Sequence, residues 1–114
     1  EEKVAQLFII LPEALMDVDL VTAAGNATKE KIDAIPVGGF IYLSGNLENP
    51  DQVKTMLKNV QIYSNQRIHL PAFLCVDEEG GLVARVGNNK NFNVSTFARM
   101  NIIGARKNSE EVRT

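Results

Sequence analysis

The 114-residue chain is poor in several features that would narrow its function quickly. It has a single cysteine, Cys75, so no disulfide can form within it and no thiolate zinc site can be assembled from it. Cys75 lies in an apolar run, and His69 is its only candidate histidine partner, so it reads as a small buried hydrophobe rather than a nucleophile. No apolar run is longer than that from Leu7 to Leu11, far short of the ~20 residues of a membrane-spanning helix. No basic segment with a cleavage site opens the chain, and the sequence leaves cytoplasm, secretion and cell surface equally open. There is no excess of positive charge either. With 12 Lys and Arg against 14 Asp and Glu the net charge is -2, which argues against nucleic acid as a partner. The paired glycines Gly38-Gly39 and Gly80-Gly81 fit neither G-x-G-x-x-G nor the P-loop. Glu13, Asp17 and Asp19 lack the fixed oxygen spacing of a calcium loop and read as a solvated loop, so no metal or other cofactor is expected.

What is present is the balance of an ordinary globular domain, 45% hydrophobic and 23% charged. Glu1 to Leu7 reads as the last turns of a helix, passing into a first strand at Phe8–Leu11 that Pro12 terminates. Glu13 to Thr22 has no clean period and reads as loop with about one helical turn. A short helix is predicted over Ala27–Ile35, capped by Asn26 or Thr28 and stopped by Pro36. A second strand, Val37–Leu43, leaves through the turn Ser44-Gly45-Asn46. From Asp51 to about Gln66 comes the clearest helix. Val53, Met56, Leu57, Val60 and Ile62 or Tyr63 recur at helical spacing, with Asn49 as N-cap, Pro50 at the first position and Gln61 on the polar face. A third strand follows at Ala72–Val76. Asn88 to Asn93 reads as an exposed loop, and Ser109 with Glu110 and Glu111 as the start of another helix. Helices and strands alternate with short connections, which predicts an α/β fold with a parallel sheet.

The stretch that carries chemistry is Leu70 to Arg85. Phe73-Leu74-Cys75-Val76 reads as a strand covered on both faces, ending in Asp77, Glu78 and Glu79. Ligands of parallel α/β proteins bind at the carboxyl ends of the strands, which is where these carboxylates fall. Gly80 and Gly81 permit a sharp turn and the close approach of a ligand or another strand. Arg85, eight residues past Asp77, is near enough to return its guanidinium to the same mouth. Each residue has a plainer reading. Asp77 could cap the next turn, and Arg85 could pair with Glu78 or Glu79. Glu78 and Glu79 are a poor acid/base pair, because neighbours in extended chain point to opposite faces. Glu79 is expected to bond backbone or a neighbouring strand, and Asn46 is either a site residue or part of the turn.

The segment V-G-G-F-I-Y-L-S-G-N, the helix N-P-D-Q-V-K-T-M-L and L-P-A-F-L-C-V-D-E-E-G-G-L-V-A-R, in this order, resemble the N-terminal region of glycoside hydrolase family 3. Lys3, Gln6 and Leu7 resemble the family's K-x-x-Q-L entry, and the subgroup most similar is the bacterial β-N-acetylglucosaminidases that trim peptidoglycan fragments. The resemblance implies a (β/α)₈ barrel, of which this chain would be about the first three β/α units. It also implies retaining hydrolysis through a glycosyl-enzyme intermediate. The aspartate of V-D-x-E-G-G then binds sugar hydroxyls in the −1 subsite with help from the arginine eight residues on, here Asp77 and Arg85, with Glu79 and Asn46 as supporting candidates. The family's nucleophilic aspartate and the histidine of its K-H-x-P-G-H-G motif have no counterpart after Arg85, and His69 sits at the wrong end of its strand. Three strands cannot close a barrel, so residues 1–114 are expected to be the N-terminal fragment of a catalytic domain, inactive by itself. The alternative is a non-catalytic truncated module that binds sugar or self-associates through exposed sheet edges.

Overall fold

The computed structural model describes residues 1–106, so the helix start expected at Ser109 lies outside the described residues. Helix α1 (Glu2–Ala5) leads into strand β1 (Ile9–Ile10), followed by α2 (Pro12–Met16), α3 (Asn26–Ala34), β2 (Gly39–Tyr42), α4 (Pro50–Ile68) and β3 (Phe73–Val76). A 3-10 turn at Ser44–Asn46 joins β2 to α4. The three strands form a parallel sheet in the order β1-β2-β3. Every strand therefore lies beside its predecessor, with helices between, and the fold class is α/β.

The register explains where the core sits. Ile9, Gly39 and Phe73 are matched across the sheet, as are Ile10, Phe40 and Leu74. Side chains alternate along a strand, so the second row and Tyr42 face α2, α3 and α4. Phe40, Ile32, Met56, Val60 and Tyr42 are at most 3% exposed there, with Leu15, Ala24, Val37 and Leu47 around them. The first row faces the other way. Phe73 is 70% exposed and Ile9 48%, so β3 is not covered on both faces as its apolar run predicts. The reason is that all helices packed on the sheet lie on one side, and β3 is an edge strand with one neighbour. The radius of gyration is 16.7 Å, against about 13 Å for a compact domain of this length.

Gly38 and Gly39 make the sheet possible. A Cβ on Gly39 would stand 2.3 Å from the carbonyl oxygen of Phe73, and one on Gly38 2.0 Å from that of Gln6. The backbone there is shared, since Phe73 N donates to Gly38 O at 2.9 Å and Gly38 N to Phe8 O at 3.0 Å.

Helix α4 begins as its sequence predicts: Pro50 is its first residue and Asn49 Oδ1 accepts from Gln52 N at 3.0 Å. Its polar residues do more than meet solvent. Gln61 forms a two-way amide pair with the backbone of Ala72, both bonds 2.9 Å, which sets the entry to β3. Ser64 donates to Leu70 O at 2.8 Å and Asn59 to Ala24 O at 2.9 Å. Arg67 donates to Asp33 O at 2.9 Å and to the Glu2 carboxylate, tying α1, α3 and α4 together. That guanidinium holds the exposed Glu2 carboxyl below the ordinary carboxylate range.

Four further details differ from the sequence prediction. Pro12 opens a helix rather than only ending a strand, because its fixed φ suits a first helical position. The cap of α3 is Gly25, with no side-chain bond from Asn26 or Thr28. Beyond β3 the chain forms a small antiparallel hairpin, β4 (Glu78–Gly80) with β5 (Val83–Ala84), and later a short helix α5 (Met100–Gly104). The asparagine-rich loop is pinned: Asn89 donates to Leu47 O at 2.6 Å and Asn91 to Glu48 O at 2.7 Å, with Phe92 packed against the core.

Candidate active site

Because the strands are parallel, the carboxyl ends of β1, β2 and β3 lie on one rim of the sheet, and Asp77 follows β3 there. After β3 the alternation continues to Asp77, which shares the helix-free face with Phe73 and Cys75. Cys75 is half-buried there, with its thiol free. The β4–β5 hairpin folds back beside Asp77 because Gly80 and Gly81 adopt φ of 87° and 61°, left-handed conformations open mainly to glycine. What approaches these glycines is the chain itself. Gly81 N donates to Phe97 O at 2.8 Å, and a Cβ on Gly80 would lie 2.5 Å from the carbonyl oxygen of Ala98.

The fold-back brings Arg85 home. Its backbone N donates to Asp77 O at 3.1 Å, and its Nη2 stands 3.4 Å from Asp77 Oδ2. The guanidinium pairs with Asp77 rather than with Glu78 or Glu79. Asp77 keeps 35% and Arg85 29% of the side chain exposed, and the buried Arg85 Nε has no hydrogen-bond partner. The pair is long and half open. An ionised carboxylate has about four acceptor positions and a guanidinium five donors, and the side-chain contact at 3.4 Å uses one of each.

Glu78, not Glu79, is the carboxylate that bonds backbone, with Val86 N at 2.9 Å and Gly87 N at 2.8 Å. Glu79 is exposed and lines an open groove with Gly80, Leu82, Arg99 and Asn101. Nothing in the tandem glutamates signals which one bonds the backbone.

Asn46, at the end of β2, is 2% exposed. Its Oδ1 accepts from Leu43 N at 2.7 Å, while Nδ2 donates to Val21 O at 2.7 Å and to the Glu13 carboxylate. These bonds engage both ends of its amide, so it builds the rim from within. Its partner Glu13 was missed as more than a loop acid; Glu13 Oε1 also accepts from Val21 N at 2.9 Å and so closes the loop after α2. Spacing gives no hint of this pairing, since the two residues are 33 apart. Asp17 caps α2 in a left-handed conformation. His69 similarly ends α4, at the opposite end of β3 from Asp77. Among the described residues no three His, Cys, Asp or Glu side chains gather as metal ligands.

Tyr42, behind this rim, has a buried hydroxyl with no hydrogen-bond partner. Burial, reinforced by the charge of Glu13, pushes its phenol well above the ordinary value of 10.0. The raised value means that folding favours the neutral phenol, so stability is intact below pH 10 and falls as pH rises beyond it, where the unfolded chain ionises first. Tyr42→Phe should remove that alkaline loss and, by deleting an unsatisfied group, leave neutral-pH stability unchanged or raise it by about 1 kcal/mol. Urea midpoints measured at pH 7 and 11 for both proteins check this, and equal alkaline losses would contradict it.

Comparison with known proteins agrees with the geometry. Residues 1–110 match the glycosyl hydrolase family 3 N terminal domain. A stretch of 62 residues, 54% of this chain and 10% of the relative, is 32% identical to "Beta-hexosaminidase A" of Pseudoalteromonas piscicida. The glycoside hydrolase family 3 beta-N-acetylglucosaminidase of Paenibacillus sp. str. FPU-7 superposes with a TM-score of 0.74 over 96% of this chain and 19% of its own, at 25% identity. The chain thus spans about a tenth and about a fifth of the lengths of these two relatives. With a parallel sheet ending in acid and a family match over nearly its whole length, the chain belongs to glycosyl hydrolase family 3, as its N-terminal region.

Proposed function

We propose that residues 1–114 form the first three β/α units of a barrel-shaped hydrolase that removes terminal β-linked N-acetylglucosamine by a retaining mechanism. In it, Asp77 and Arg85 bind the sugar in the −1 subsite. The observation that carries this reading is the half-open Asp77–Arg85 pair at the carboxyl end of β3. Asp77 would accept from two sugar hydroxyls, and Arg85, already oriented by Asp77, would donate to a third oxygen. Sequential β1-β2-β3 order, with helices on one side and exposed apolar residues on the other, supports the barrel. A retaining glycosidase also needs a nucleophile and an acid flanking the bond, about 5 Å apart. Neither is supplied here, so the intact hydrolase would be active and this chain alone would not.

The test is to assay both on a chromogenic N-acetylglucosaminide. The 114-residue chain should give no turnover, and turnover surviving purification would refute the division of labour. Expressed alone, the chain should also self-associate, because Phe73, Ile9, Leu11 and Leu43 leave an apolar face open beside an unpaired strand edge. Sedimentation showing only monomer at micromolar concentration would contradict that.

A further inference from the structure

Resting on the reading of Asp77 and Arg85 as sugar ligands, we infer that Glu78 is a positioning residue that holds Arg85 at its working distance from Asp77. Strand β5 ends at Ala84, and the backbone donors after Arg85 have no ladder partner. Glu78 supplies one for each: Oε2 accepts from Val86 N at 2.9 Å and Oε1 from Gly87 N at 2.8 Å. On the other side of Arg85, its own N–H is held by Asp77 O at 3.1 Å. Arg85 is therefore clamped before and after its Cα by two adjacent residues, one of which is the carboxylate its guanidinium must meet.

The contacts close a ring. Asp77 is bonded covalently to Glu78, Glu78 by hydrogen bonds to Val86 and Gly87, and Arg85 covalently to Val86 and by its guanidinium to Asp77. Carboxylate and guanidinium thus share one short frame and move together. Gly87 belongs to this arrangement, because a Cβ there would stand 2.7 Å from Glu78 Oε1 and displace the clamp. Because Glu78 and Asp77 point to opposite sides of the extended chain, Glu78 grips the backbone without competing for the sugar. A misplacement of about 1 Å at a substrate-orienting group can cost on the order of 100-fold in rate, which sets the scale of the effect.

The experiment is a double-mutant cycle in the intact hydrolase, reading kcat/KM on a chromogenic N-acetylglucosaminide together with the thermal midpoint. Glu78→Ala should lower kcat/KM by about 10- to 100-fold in the wild-type background. It should change kcat/KM by no more than about twofold where Arg85→Ala has already removed the guanidinium, since coupled residues are not additive. Glu78→Gln keeps one acceptor oxygen and should fall between Glu78→Ala and wild type. Multiplicative losses in the cycle would overturn the inference, as would a Glu78→Gln protein with wild-type kinetics beside a Glu78→Ala protein that does not fold. Asp77→Ala separates the two levels of the reading. If it leaves kcat/KM unchanged, the subsite assignment itself fails; if it lowers kcat/KM while Glu78→Ala does not, only the role of Glu78 fails.

Discussion

Gly39→Ala should destabilise the chain by about 3 kcal/mol or more, among the largest effects of any single methyl group in it. The added carbon would lie 2.3 Å from Phe73 O and 2.7 Å from Phe73 Cβ. Neither neighbour is the flexible end of a side chain; both belong to the strand that Gly39 is registered against. Relief requires β3 to move away from β2, and that movement breaks the bond from Phe73 N to Gly38 O that begins their pairing. Small domains hold about 5–15 kcal/mol in total, so the variant should lose a large share of its folded population. Urea unfolding of the intact protein checks this, with Gly104→Ala as the control, since nothing lies within 4 Å of a Cβ at that position. A Gly39→Ala midpoint equal to the control's would show that the close strand approach is not required.

Asp77→Ala should reduce kcat/KM of the intact hydrolase by about 10²- to 10⁴-fold while moving its thermal midpoint little. Two hydrogen bonds from sugar hydroxyls to an ionised carboxylate contribute about 1.5–3 kcal/mol each, and each 1.36 kcal/mol corresponds to about tenfold. The structural cost is far smaller. Asp77 meets Arg85 at 3.4 Å with about a third of each side chain exposed, and exposed pairs of this kind contribute about 0–1 kcal/mol. Arg85→Ala should follow the same pattern with a smaller kinetic loss, because in the proposed subsite Arg85 would donate to fewer sugar oxygens than Asp77 would accept from. Asp51→Ala, in the first turn of α4, should leave the kinetics unchanged and serves as the reference. If Asp77→Ala instead lowered the thermal midpoint in step with activity, the carboxylate would be a structural partner of Arg85 and nothing more.

Much of this site could be read from residues alone, and the reasons are local. Helix α4 was legible because its apolar period and the Asn49-Pro50 cap point to the same element. Strands β2 and β3 were legible as apolar runs bounded by glycine, proline and acid. The eight-residue spacing from Asp77 to Arg85 pointed to one mouth shared by both, though not to the ion pair between them that the hairpin creates. What escaped is non-local or too short to have a period. Helix α2 is five residues, and Pro12 announces an end and a beginning in the same way. Strands β4 and β5 have three residues and two, so alternation has no room to appear. The bond between Asn46 and Glu13 depends on the segments after β1 and β2 meeting in space, and the bonds of Glu78 to Val86 and Gly87 depend on a hairpin too short to show in the pattern. Gln61 escaped for another reason: on a helical wheel it belongs to the polar face, and only the loop after α4 gives its amide a backbone to pair with.

The order in which β1, β2 and β3 lie side by side has a consequence for synthesis. A chain emerging from the ribosome amino end first presents each strand when its only required neighbour is already there, so no segment must wait for a distant one to be made. Each pairing nevertheless joins residues far apart in the chain, Ile9 with Gly39 and Gly39 with Phe73, so loop closure must come first and slows folding. In the proposed barrel, exposed Phe73 and the unpaired edge of β3 would be the place where the next strand docks.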